Sequence, residues 1–446
     1  MTFPVTLSAP LVDPGPFPAA ADVAVVGGGI AGVMTAWHLA DLGLRAVVLE
    51  KGRVAGEQSG RNWGWIRAQG RDPAELPLIL DARRQWEGLA AALGPGLGHR
   101  RCGVLYLAGS ATEMAGFEAW LPHAQAHGLD TELWPRAAAA DRLGPAGGWQ
   151  GALWTASDAR AEPWAALPLI ARAAVTKGVR IIEGCAARAL DLAGGRVAGV
   201  VTERGRIAAP AVVVAGGAWS RLFLGRHGVG LPQLSVLSSV LATAPLAAPF
   251  PGNAAAPDFA FRARADGGLT IAPGGDHRFY LGPDAFRSAR AFLPVLRRDW
   301  RHTALRPAAP PGFPDAWFTP RRWDADRPSP FEACRILNPS PDRGALDRAA
   351  AAFARAFPAL GPPQVVAQWA GMIDTTPDVL PVLDAVAALP GLFIATGLSG
   401  HGFGIGPGVG RAMAGLVAGR DQGFDLAPFR LARFSDGTAL RPGPAP

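Results

Sequence analysis

The chain has 446 residues, 49% of them apolar and 18% charged, with a formal net charge of +7. This composition excludes a disordered chain, and at this length it predicts two interleaved domains rather than one small core. The positive charge comes almost wholly from arginines in scattered pairs such as Arg83-Arg84 and Arg321-Arg322; without a polybasic run or a nucleic-acid motif, it points to small anionic ligands and not to nucleic acid.

No basic segment leading into an apolar run precedes the strand expected near residue 23, and no window approaches the roughly 18 unbroken apolar residues of a membrane span. The expectation is a cytoplasmic protein without a transmembrane segment. The stretch "ADVAVVGGGIAGVMTAWHLADLGLRAVVLEKG" then predicts a strand over 23–26, a glycine turn, a helix over 30–42 and a second strand over 45–49 that ends in Glu50. Gly27, Gly29 and Gly32 form GxGxxG after a strand and at the start of a helix. The first glycine permits the turn, the second lets a pyrophosphate approach the helix N-terminus, and the third lets helix and strand pack closely. Glu50 is placed to accept from ribose hydroxyls.

The same fingerprint serves NAD and FAD. Two features favour FAD: the glycine-rich "SGRNWGWIRAQGR" at 59–71, and the C-terminal "PGLFIATGLSGHGFGIGPGVGRAMAGLVAG". The latter reads as a strand, a glycine loop and a helix starting near Gly408, whose N-terminal dipole suits a flavin ring that gains negative charge on reduction. Between these lie helical patterns over 73–93, a strand over 102–110, helices to about 145, and a return to helix, strand and hairpin that closes on a buried strand at 212–215. From 229 to 363, alternation and proline-rich connections predict a mainly antiparallel sheet. A polar tail follows from about residue 420. Cys102, Cys185 and Cys334 are far apart and the histidines lack ligand spacing, so neither a disulfide framework nor a metal site is expected. The run "GLSGHG" is not a nucleophile elbow, because His401 stands where GxSxG needs its last glycine.

In order, the βαβ unit with Glu50, "SGRNWG", "EGCAARAL", "VVVAGGAWS", "TTPDVLP" and "GLSGHGFGIGPGVGRAMAGLVAG" resemble the FAD-dependent D-amino-acid oxidase family, which includes glycine oxidase, sarcosine oxidase and D-amino-acid dehydrogenases. The resemblance covers nearly the whole chain. It implies an α/β fold: a Rossmann-like, glutathione-reductase-type FAD-binding domain from residues 1–98, 150–228 and 364–446, the last including the tail, and a second α+β substrate domain from 99–149 and 229–363, built on a mainly antiparallel sheet.

The resemblance places Gly27, Gly29 and Gly32 at the pyrophosphate, Glu50 at the adenosine ribose and Lys51 beside it. It assigns Ser59, Arg61, Asn62 and Gly64 to the loop that crosses the pyrophosphate and reaches the flavin. Ala187, Ala215 and Gly216 fall near the adenine, and Gly400, His401, Gly402 and Phe403 at the flavin ring. Trp63 and Trp65 are expected to wall the flavin or the substrate, with core packing between domains as the alternative, and Trp369 is read with them as a sign of an apolar substrate. Arg67 matches the arginine with which sarcosine oxidases hold a substrate carboxylate, Arg71 and Arg322 being competitors, and His401 is the other candidate for a catalytic role. Gly371 stands five residues before the TP motif, where sarcosine oxidases carry a flavin-linking cysteine; non-covalent FAD is therefore expected, with Cys334 read as a packed strand residue. The lysines that these relatives place at the flavin are also missing.

The activity implied is oxidation of the C–N bond of an amino acid, an N-substituted amino acid or an amine by hydride transfer to flavin N5, followed by hydrolysis of the imine. O2 or another acceptor then takes the electrons. Oxidation of a 2-hydroxy acid, or a non-catalytic FAD-bearing assembly or electron-transfer subunit, are the alternatives.

Overall fold

The structure is a computed structural model that describes residues 3–12, 15–275, 277–299 and 303–441. Val23–Val26 lies at the heart of a six-stranded sheet, paired in parallel with Ala211–Val214 on one side and Ala46–Leu49 on the other. Arg180–Ile182 and Leu392–Thr396 extend it in parallel, and Val382–Ala385 closes one edge antiparallel. A sheet covered on both faces takes continuous apolar strands instead of alternating ones. Thus Val23, Val25, Val48 and Val213 pack into one core with Val33, Met34 and Leu39 of the helix Ile30–Asp41, while Ala24, Val47, Val212 and Val214 pack into another with Leu222 and Phe223.

The second sheet has ten strands among the described residues and is antiparallel except for two pairs, Asn253–Ala255 with Val104–Ala108 and His277–Tyr280 with Thr303–Arg306. Its core sets Phe259, Phe261 and Ile271 against Phe353 and Phe357, the former in the helix Arg343–Ala356 and the latter just after it. Gly151–Thr155 belongs to this sheet, and so does Val365–Thr375, which pairs along its length with Leu234–Pro245. Both strands lie in segments expected in the FAD-binding domain, 150–228 and 364–446, yet they pair into the second sheet. Composition marked the prolines at 362 and 363, not the sheet edge beyond them.

Two further readings need correction. The last helix, Gly402–Ala418, begins six residues before the expected Gly408. Its glycines argue against helix by propensity, each costing about 1 kcal/mol against alanine, but packing overrides that cost. A Cβ at Gly406 would strike Ile30, one at Gly408 the carbonyl of Leu78, and one at Gly410 the backbone of Met34. Cys334 is not in a strand; it follows the short helix Pro330–Ala333. Among the described residues no helix is long and apolar enough to cross a membrane.

Candidate active site

A cavity of about 640 Å³ opens at the carboxyl ends of the parallel strands, where Val26, Leu49, Val214 and Thr396 reach it, and continues against Val240, Ala260 and Ile373 of the second sheet. Ligands of open α/β sheets bind at this end of the strands, where neighbouring connections leave in opposite directions. One end of the cavity is a backbone cradle. Gly27 has φ +117° and a Cβ there would strike the carbonyl of Ala215; a Cβ at Gly32 would strike the carbonyl of Gly27. Gly29 caps the helix Ile30–Asp41, and the amide of Ile30 donates to Ser59 Oγ at 3.0 Å.

Glu50 accepts from the amides of Gly28 at 2.8 Å and Gly52 at 2.7 Å, and burial pushes its carboxyl up to about 7. Ala187, Ala215 and Gly216 line the same end. This end can receive a diphosphate against the helix N-terminus and a ribose diol against the carboxylate. The next stretch fits as well. Arg61, 2% exposed, donates from Nε to Gly56 O at 2.9 Å and from Nη1 to Asn338 Oδ1 at 2.6 Å and Ala370 O at 3.0 Å, leaving Nη2 buried without a partner. Asn62 serves its own loop: Oδ1 accepts from the Gly64 amide at 2.7 Å, and Nδ2 donates to Ser59 O at 2.9 Å. Gly64, at φ +80°, lets the strand Trp65–Ile66 pass the carbonyl of Ala161.

The N-terminus of Gly402–Ala418 closes the other end, with Gly400, His401, Gly402 and Phe403 all in the cavity wall. Trp63 and Trp65 also line it, edge to face at 5.3 Å, and Trp65 leads on to Tyr106 and Phe117 in one aromatic wall. Arg67 and Arg71 share this end. The Arg67 guanidinium lies 5.5 Å from the Tyr106 ring centre and donates to Gln69 O at 2.5 Å. Arg71 is 3% exposed, its Nη1 lacks a hydrogen-bond partner, and burial, with Arg67 next, pushes its pKa down to about 9. Two guanidiniums on an apolar wall can receive a carboxylate.

Gly32 and Gly64 lie outside the cavity lining, and three further expected site residues stand elsewhere or act otherwise. Arg322 is exposed and outside the cavity. Trp369 is a core residue: 2% exposed, packed on Phe3 and Trp164, it donates from Nε1 to Arg61 O at 2.9 Å. Lys51 reaches the cavity wall, but its ammonium is spent on Glu57 Oε1 at 2.7 Å and the carbonyls of Cys334 and Arg335 at 2.7 and 3.0 Å. It ties the loop after Pro330–Ala333 to the cradle.

Sequence reasoning missed the residues that shape the arginine end. Asp158, fully buried, accepts from the amides of Ala68 at 2.8 Å and Gln69 at 3.1 Å and so fixes the turn carrying both arginines. Glu75 accepts from His401 Nδ1 at 3.0 Å. Tyr106 and Phe117 complete the aromatic wall. Only Glu75, four residues after Arg71, left a local trace in the sequence.

Residues 22–416 match a family model described as DAO, FAD dependent oxidoreductase. The chain is 26% identical over 430 residues to the beta subunit of sarcosine oxidase from Rhodobacter capsulatus, covering 93% of this chain and 89% of that one. It is 28% identical over 240 residues to mouse mitochondrial sarcosine dehydrogenase, a match that takes in 51% of this chain and only 26% of that protein. Among solved structures, L-amino acid deaminase from Proteus myxofaciens, in complex with anthranilate, superposes with a TM-score of 0.88 at 30% identity over 95% of each chain.

Proposed function

The chain belongs to the DAO family of FAD-dependent oxidoreductases, and we propose that it oxidises the C–N bond of an amino acid or N-substituted amino acid with a large apolar side chain. The observation that carries this reading is the pair of cationic groups, Arg67 and Arg71, set beside an aromatic wall in the same cavity as the dinucleotide cradle. The relatives named for sarcosine and for L-amino acids support an amino acid or N-substituted amino acid as the substrate, and the aromatic wall supports the apolar side chain.

Arg71 and Arg67 hold the substrate carboxylate, and Trp63, Trp65, Tyr106 and Phe117 enclose its side chain and exclude water. FAD, held by the glycine cradle, Glu50 and Arg61, supplies the hydride acceptor when bound. The substrate carbon gives up a hydride, its nitrogen loses a proton, and the imine so formed adds water to give an oxo acid and ammonia or an amine. The cofactor is held non-covalently: Gly371 offers no side chain to the cavity, and Cys334 does not line it.

Anaerobic absorbance spectra before and after adding L-, D- and N-methyl amino acids, amines and 2-hydroxy acids test the reading. Bleaching by apolar amino acids supports it, and bleaching by hydroxy acids alone overturns it. Recolouring by air then assigns an oxidase, and a protein that stays pale until a quinone is added, a dehydrogenase.

A further inference from the structure

Beneath the arginine pair lies a second pair of titratable groups. Glu75 and His401 are 0% and 2% exposed, and His401 Nδ1 stands 3.0 Å and 3.3 Å from the two carboxylate oxygens. An ionised carboxylate only accepts, so Nδ1 carries the proton and Nε2 is the bare nitrogen. His401 is in the cavity wall, and its Nε2 has no hydrogen-bond partner. Arg71 Nη1, which also has no hydrogen-bond partner, forms a long ion pair with Glu75 Oε2 at 4.0 Å.

We infer that Glu75 is a positioning residue acting through His401, holding the imidazole so that it takes up a proton when a substrate carboxylate engages Arg67 and Arg71. The inference rests on the carboxylate site proposed above. With the site empty, the guanidiniums of Arg67 and Arg71 face Glu75 and Asp158, the latter also paired with Arg83 at 3.5 Å, so cations exceed carboxylates by one and a protonated His401 would add a further buried positive charge. Burial first, then Arg71, push its pKa down to about 4; Glu75 opposes this, and Arg67 adds to it. The N-terminal dipole of Gly402–Ala418 points the same way as the arginines. A bound carboxylate cancels the arginines, and the charge on His401 is then paired with Glu75. In the reaction the substrate ammonium supplies that proton: an N–H bond breaks, the electron pair stays on nitrogen, and the proton ends on His401 Nε2. This leaves the neutral amine that loss of hydride requires.

The test is calorimetric binding of 3-phenylpropanoate, a carboxylate without an amine, to oxidised holoenzyme at pH 6 in two buffers of different ionisation enthalpy. The expected result is proton uptake approaching one per site, abolished in His401→Gln and reduced in Glu75→Gln, with binding retained in both. The wild-type Kd weakens with rising pH by up to about tenfold per unit. Binding without proton uptake, or uptake that survives in His401→Gln, overturns the inference and leaves the carboxylate site standing. Failure of the wild type to bind the probe removes the carboxylate site itself, and the inference with it.

Discussion

Glu75 and His401 are 326 positions apart in the chain and 3.0 Å apart in the fold, Nδ1 donating to Oε2. Folding thus buries a histidine with a pKa of about 4 in place of its ordinary 6.5. A lowered folded-state value means that the unfolded chain binds the proton more tightly. The stabilisation is complete above pH 6.5 and is lost as pH falls towards 4. For His401 it amounts to something on the order of 3 kcal/mol. Urea midpoints measured from pH 7 to 4 are expected to fall across this window, and His401→Gln to fall less steeply; His227, also pushed down to about 4 by burial, keeps part of the slope in the variant.

Gly32→Ala tests the cradle. The new Cβ meets the carbonyl of Gly27, which can move only if the turn over the pyrophosphate moves. The expected outcome is folded protein purified with little or no FAD, read from the ratio of visible to ultraviolet absorbance. Wild-type flavin content in this variant would mean that the cradle does not hold the cofactor.

Asp158→Ala leaves the amides of Ala68 and Gln69 buried without acceptors. A loss of about 2 kcal/mol or more in stability is expected from the unpaired amides. As the turn that presents Arg67 and Arg71 loosens, KM should rise roughly tenfold while kcat changes less. Steady-state kinetics and urea unfolding on the same preparation read both effects.

Arg71→Lys replaces a planar fork by a point charge that cannot bind both carboxylate oxygens in the same geometry. The kcat/KM for the best amino acid should fall by roughly tenfold to a hundredfold, about 1.5–3 kcal/mol, mainly through KM. An amine without a carboxylate should be affected little, and equal losses for both substrates would argue for a purely structural arginine.

Trp63→Ala opens the aromatic wall. Substrates with large apolar side chains should lose about 2 kcal/mol of transition-state binding, roughly thirtyfold in kcat/KM. Glycine-sized substrates should be nearly unaffected, so the ratio between the two classes is the quantity to measure.

Local order was enough to read the cradle. GxGxxG, the apolar strands on either side and Glu50 all sit within one βαβ unit, where spacing along the chain fixes spacing in space; Gly27, Gly29 and Glu50 line the cavity, and Gly32 packs against the carbonyl of Gly27 outside the lining. Strands such as Phe259–Ala263 and Gly268–Pro273 were legible from alternation, but Thr131–Pro135, in a stretch expected to be helical, was not, and neither were the sheet's limits, because pairing of Val365–Thr375 with Leu234–Pro245 depends on a partner more than a hundred residues away. The glycine-rich last helix contradicts its own propensity and exists because two other helices, Ile30–Asp41 and Leu76–Leu93, press against it. Trp63, Trp65 and Trp369 look alike in sequence; the fold sends the first two to the cavity wall and buries the third in the second sheet, where its indole donates to the carbonyl of Arg61. The charge at the arginine end belongs to tertiary structure for the same reason. Asp158, Glu75 and His401 act on Arg67 and Arg71 through contacts a few ångströms long between segments far apart in the chain, and their protonation follows from a burial that no local pattern encodes.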